Sequence, residues 1–576
     1  MLYFIFVWTI LLIICSTVGI GLLHFLQASA FHRTGDRLIV SVWLGVISLS
    51  VLALLVSLIL PLTSWVGFGI AGVCCGFALL KRSVRDELAT LNTAISLNTR
   101  VLYLIGAVLV AVLSSRSVTW LDTGLYHYPL IRWLSQVGTA PGIALLFANF
   151  GFTSSWFAFA APLNPEVLEA RASATTGGFA LLVTLIQTGI ATSYIWNKRS
   201  QFSDWFLGFF SGILLLCLVG VSHLREVSIS PSPDIPVAVL TGIIAWTILV
   251  VTNSSYSPIS QGETSLECNA TDSALIPLIL AAGTVTIKLV ALPLLAISCI
   301  FYLLRNRGSM RRLLDGIAVT ILVMSPFLLV QIFTSGCPLF PSSAFCLSTP
   351  WVVSIETKES ITRFTHNWTS WYASSSQPTI SWTTALLRWL SSSRGNQLMA
   401  LIAISSLAAF GLAFRMLYKS SVRGYLWIIA AQILGIAFYL KTSPLLRFAL
   451  PCLILTPALL GAALGYIKFS PLSPSNQVAD LSLLPSNRFK LHPLILGLFG
   501  IAAVLSMSLA SSRLVLPDPM LSASISQKQV NNFTYFSPEA PEVCWGAEIP
   551  CAFVVRDDVY LRDPEKGLTA GFIRAQ

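Results

Sequence analysis

The stretch Thr119-Trp120-Leu121-Asp122-Thr123-Gly124-Leu125-Tyr126-His127-Tyr128-Pro129-Leu130-Ile131-Arg132-Trp133 puts an acid, a histidine and an arginine close together just after an apolar run. If the residues after Gly124 form a short helix lying on a bilayer, Leu125, Ile131 and Trp133 face lipid while Asp122 and His127 face a cavity. Asp122 is then placed to take the proton of an acceptor hydroxyl, or to bind a divalent cation. A plainer reading stays open at this point: Asp122 caps the helix, and His127 and Arg132 are ordinary interfacial residues.

Lys288 lies in Thr284-Val285-Thr286-Ile287-Lys288-Leu289-Val290-Ala291-Leu292-Pro293, well inside an apolar run. An ammonium there needs an anionic partner, because an uncompensated charge costs several kcal/mol. A lipid phosphate, Asp122 or another carboxylate would each serve, and an ion pair that only holds helices together is the alternative. Lys441 and Arg447 flank Thr442-Ser443-Pro444 between two further apolar runs, where they can hold a phosphate or snorkel to headgroups.

The elements that must position these residues are membrane helices. The 576 residues are 55% hydrophobic and 10% charged, and the mean hydropathy is +0.78, which leaves too little polar surface to coat a soluble globule. The net charge of +11 sits in short clusters between apolar runs and gives no support to nucleic-acid binding. Runs long enough to span, or nearly so, fall at 3–26, 38–60, 64–80, 101–115, 148–162, 176–195, 203–223, 236–252, 275–302, 313–334, 396–417, 424–440, 447–467 and 491–510. The fold class expected is therefore an all-α polytopic membrane protein of about 13–14 helices.

The first run is followed by Ala28-Ser29-Ala30 but lacks a preceding basic residue, and reads as a retained span. Six regions follow: 1–115, N-terminal helices; 116–147, an outer loop with the candidate acid; 148–334, a central bundle; 335–395, a long outer loop; 396–510, C-terminal helices; 511–576, an outer tail. Segment 253–274 also falls outside in this count. Lys81/Arg82/Arg85, Arg305/Arg307/Arg311/Arg312, Arg415/Lys419/Arg423 and Lys468/Arg488/Lys490 share one side, expected to be cytoplasmic, whereas Lys198/Arg199 falls on the other, so either two of the short central segments do not span or this loop is an exception. The long loop carries Trp351, Trp368, Trp371, Trp382 and Trp389, rings suited to the headgroup level.

Cys337 and Cys346, in the long loop, and Cys544 and Cys551, in the tail, are each spaced for a local disulfide, with unpaired thiols as the alternative; Cys268 is left over. No nucleotide loop, zinc-ligand spacing or nucleophile elbow stands in a credible context, and no repeat relates the two halves. Sequons occur at Asn253, Asn269, Asn367 and Asn532.

Asp122 to His127, Arg132-Trp133, Pro141-Gly142, Gly151-Phe152-Thr153-Ser154-Ser155-Trp156, Thr286-Ile287-Lys288-Leu289 with Leu292-Pro293, Ser335-Gly336-Cys337-Pro338-Leu339-Phe340-Pro341, and Cys544-Trp545 with Ile549-Pro550-Cys551 resemble a family of bacterial polytopic membrane proteins similar to the GT-C glycosyltransferases. Between Gly142 and Gly151 the chain departs from that pattern, carrying Leu145, Phe147 and Asn149 where Asn, His and Arg are expected. The resemblance implies sugar transfer from a polyprenyl-phosphate donor to a glycan, lipid or protein acceptor, in cell-envelope glycan assembly at the outer face of the cytoplasmic membrane. It implies Asp122 and His127 as catalytic groups, and Tyr126, Arg132, Lys288, Lys441 and Arg447 as substrate contacts. The one cofactor that the residues bring into view is a divalent cation, and the sequence does not establish a requirement for it. Two other functions fit the same composition: a polymerase or ligase of lipid-linked polysaccharide relying on Arg363, Arg388 or Arg394, and a lipid or solute transporter.

Overall fold

The computed structural model describes residues 1–254, 272–366, 381–392, 394–418, 422–442, 445–469, 513–539 and 543–575. Apolar runs become helices because a chain in lipid has no other way to satisfy its backbone N–H and C=O groups. In chain order they are α1 (Leu2–Phe25), α2 (Thr34–Val56), α3 (Ser64–Leu80), α4 (Arg82–Ala94), α5 (Leu97–Ser114), α6 (Tyr128–Gln136), α7 (Ser155–Ala160), α8 (Thr175–Trp196), α9 (Phe202–Gly220) and α10 (Ser222–Ser228). There follow α11 (Asp234–Ser254), α12 (Leu275–Ile287), α13 (Leu292–Asn306), α14 (Met310–Ser335), α15 (Ile355–His366), α16 (Trp382–Ser392), α17 (Arg394–Leu417), α18 (Tyr425–Thr442), α19 (Leu446–Leu453) and α20 (Leu455–Phe469). The tail adds two antiparallel hairpins, β1 (Ile525–Val530) with β2 (Phe533–Pro538), and β3 (Val559–Leu561) with β4 (Phe572–Arg574).

The protein is an all-α, polytopic membrane protein. Among the described residues eleven helices are long and apolar enough to cross a bilayer, or twelve if α3 and α4, bent by 100°, count as one span. Helix α11 is the pillar of the bundle, with 94% of its most apolar window buried against 22% for α17. Its starting residue, Asp234, therefore sits centrally at one end.

Two of the expected spans are built differently. Run 148–162 is not one helix: 3₁₀ turns at Ala148–Gly151 and Ala161–Leu163 flank the six-residue α7. Gly151 and Pro162 interrupt it, and the Ser154 hydroxyl caps α7 while donating to Ile287 O. Run 275–302 is two helices, because Lys288 adopts extended backbone (φ −158°, ψ 128°) between α12 and a 3₁₀ turn, and Pro293 starts α13. With 13 residues α12 is about 20 Å long, shorter than a hydrocarbon core. Span 491–510 lies outside the described residues, as do Cys268, Asn269, Asn367, Trp368, Trp371, Lys419, Arg488 and Lys490.

These changes move two segments to the other end of the bundle. Arg33 binds Asp36 and Asp204 and stacks on Tyr194, and Arg37 binds Glu87 beside His24, so the α1–α2, α3–α4 and α8–α9 connections gather at one end. Lys198 and Arg199, in the α8–α9 connection, thus stand with Lys81 and are no exception to the charge pattern. Asn253 donates to Arg423 O at the foot of α11, and Ser273 meets Ala30. The ends of segment 253–274 therefore lie with the basic clusters, opposite Asp122, and not with the outer loops.

Candidate functional site

At the opposite end the chain after α5 folds back as Leu121–Gln136, a helix with a π-helical turn over Thr123–His127 running into α6. An i→i+5 turn of this kind, frequent at functional sites, rotates successive side chains away from the α-helical face and turns Asp122 and His127 inward.

Asp122 meets Arg447 of α19 at 2.9 Å. Arg447 Nε also stands 3.5 Å from Asp234 of α11, and Asp234 accepts a hydrogen bond from Lys288 at the break between α12 and α13. Four side chains from four elements thus form one chain of charge, Asp122–Arg447–Asp234–Lys288, with two acids and two bases. Aromatic faces cover the cations: Phe448 lies 3.8 Å from Lys288 Nζ and 4.9 Å from Arg447 Cζ, and Trp120 lies 4.8 Å from Arg447 Cζ. The four side chains remain 8–20% exposed, the acid Asp122 most of all. A charge-balanced network at this depth avoids the penalty of a lone buried ion.

His127 is 1% exposed and packs on the rings of Tyr126 and Phe157. Burial holds its imidazole down to about 4, against a smaller opposing pull from Asp122 and Asp234, so it is neutral at pH 7. Its Nδ1 has no hydrogen-bond partner among the described residues; the same holds for Trp120 Nε1 and Thr123 Oγ1. Three unpartnered polar atoms beside one ionic network are what a polar ligand would satisfy.

Other residues singled out by the sequence go elsewhere. Arg132 donates from Nη1 to Gly546 O and Ala547 O, both at 2.6 Å, and so clamps the tail rather than facing a substrate. Tyr126 is enclosed by His127, Phe152 and Phe157. Lys441 is exposed at the end of α18 and makes no ion pair among the described residues. Arg363 and Arg388 are exposed on α15 and α16, and the side chain of Arg394 lies outside the described ones. Lys288 does not pair with Asp122 directly; its carboxylate is Asp234, which the sequence reading missed. The available signal was an acid at the head of an apolar run, in Ser230-Pro231-Ser232-Pro233-Asp234. Among the described residues no three His, Cys, Asp or Glu side chains converge, and both carboxylates of the network face cations.

Two disulfides brace this end, Cys337–Cys346 and Cys544–Cys551. The second holds the turn on which Trp545 N donates to Gly124 O, within the π-helical turn. The fold and this cluster define a polytopic membrane protein with a buried ionic centre beneath a cap of re-entrant and tail segments. The chain belongs to the family described as Domain of unknown function (DUF8201), which matches residues 1–454 and so takes in Asp122, Asp234, Lys288 and Arg447. No curated protein and no solved structure matches it.

Proposed function

We propose that the protein is a membrane glycosyltransferase of GT-C type, moving a sugar from a polyprenyl-phosphate donor to a hydroxyl acceptor on the non-cytoplasmic face. The observation that carries this reading is the Asp122–Arg447–Asp234–Lys288 network, in which a partly exposed acid adjoins Arg447, and through Asp234 the ammonium of Lys288, at the end of the bundle away from the basic clusters. An incoming phosphate takes over the guanidinium of Arg447 and the ammonium of Lys288, which frees Asp122. The Asp122 carboxylate accepts the acceptor's hydroxyl proton as that oxygen attacks the anomeric carbon. The anomeric C–O bond to phosphate breaks, its electron pair leaves on the polyprenyl phosphate, and the configuration inverts. Arg447 and Lys288 stabilise the charge growing on the leaving group. Neutral His127 acts as an uncharged polar neighbour of this site, not as a cation.

Membranes containing the protein should transfer sugar from a lipid-linked donor, and Asp122→Asn should lower the rate by about 10²–10⁴-fold. Wild-type transfer in Asp122→Asn would remove Asp122 as the base. A transporter is favoured by one specific observation, the helix broken at Lys288 beside the ionic network, since broken helices line substrate sites in many carriers. Uptake or lipid reorientation in liposomes, with no transfer activity, would decide for that reading.

A further inference from the structure

A second concavity lies apart from the ionic network, where the tail meets the re-entrant segment and the start of α15. It is a cleft of about 150 Å³. Its lining combines the apolar side chains of Leu145, Phe147, Val353 and Val554 with Arg556, Asp558 and Arg574 and the hydroxyls of Ser354 and Thr357.

The cleft is held by main chain. Phe572 N donates to Pro141 O at 2.8 Å, Gly142 N to Phe333 O at 2.8 Å and Arg574 N to Pro350 O at 3.1 Å. Gly142 (φ +69°) and Gly571 (φ +78°) allow this seat: a Cβ on Gly142 would stand 2.2 Å from Phe572 O, and one on Gly571 2.2 Å from Pro141 O. Arg574 on β4 and Val559 on β3 are register partners, which places Arg574 beside Asp558.

The charges do not balance. Arg556 donates to both oxygens of Asp558, at 3.0 and 2.8 Å, and Arg574 Nε adds a third bond at 2.5 Å. Two guanidiniums thus share one carboxylate, leaving the lining with one net positive charge. An inorganic anion would use that charge but leave the apolar side chains wet; a neutral sugar would use the apolar side chains and hydroxyls but not the charge. We infer that this cleft binds an acidic sugar, its carboxylate or phosphate on Arg574 and Arg556 and its ring against Phe147. The inference does not depend on the transfer reaction, because binding is measured without turnover. The charged residues Arg556, Asp558 and Arg574 lie beyond residues 1–454, whereas Phe147 lies within the matched family region.

The full chain in detergent micelles is titrated calorimetrically with glucuronate, glucose 1-phosphate, glucose and inorganic phosphate. At least one acidic sugar should bind ten-fold or more tightly than both glucose and inorganic phosphate, and the tighter of the two tells whether the anion is a carboxylate or a phosphate. Arg574→Gln should weaken that binding about ten-fold or more, and Phe147→Ala should weaken it too. Arg556→Gln, at a half-exposed position, provides a variant whose folding is easily preserved, and near-ultraviolet circular dichroism checks each one. Absence of binding by both acidic sugars, inorganic phosphate binding as tightly, or unchanged affinity in folded Arg574→Gln and Arg556→Gln overturns the inference.

Discussion

Lys288 and Asp234 depend on each other more than either depends on the bundle. Asp234→Asn leaves an ammonium in an apolar site and should destabilise the protein by about 3–5 kcal/mol. Lys288→Met should cost less, because Arg447 still stands 3.5 Å from Asp234. The double variant Asp234→Asn with Lys288→Met should recover most of the loss, since no unpaired charge remains. Thermal unfolding in detergent, followed by tryptophan fluorescence, measures this; simple additivity of the two single changes would show that the pair is not coupled. His127 gives a pH signature. Its folded-state value of about 4 lies below the ordinary 6.5, so between these values the unfolded chain binds more protons. Stability should fall as pH drops from about 6.5 towards 4, by about 3 kcal/mol in all. His127→Gln should lack this component, and an unchanged acid limb in that variant would assign the effect to other groups.

The π-helical turn matters because it is held from outside its own hydrogen bonds. Gly124 passes under the tail so closely that a Cβ there would lie 2.4 Å from Trp545 Cδ2 and 2.5 Å from Val543 Cγ1. Gly124→Ala should therefore push the Cys544–Cys551 turn away and cost about 1–3 kcal/mol by overpacking, with faster proteolysis of the tail as the readout. Wild-type resistance would mean that the tail does not brace this turn. The sequence predicted a short helix after Gly124 with Asp122 just before it and His127 on it, but an i→i+5 turn has no periodic signature of its own. Its presence follows from what packs over it, including the tail, which lies several hundred residues away in sequence.

At the scale of the whole molecule, the corrected path of the chain makes a prediction about sidedness. Cysteines at Lys81 and Arg199 should react with an impermeant maleimide from one face of oriented vesicles, and a cysteine at Arg116 from the other; the three positions are exposed. Labelling of positions 199 and 116 from the same face would refute the path. Composition and run length alone determined that this is an all-α membrane protein with many spans, because transfer of long apolar segments into lipid depends on each segment's own residues. They also flagged Asp122, His127, Lys288 and Arg447 as chemically notable. Hydropathy does not separate one continuous helix from a broken one, so the breaks in runs 148–162 and 275–302 were visible only in the folded chain. Nor does local sequence say which charges meet: Asp122 and Arg447 are 325 positions apart, and Asp234 joins them through the central helix. Ion pairing is set by where helix ends arrive in space, and only the tertiary structure decides that.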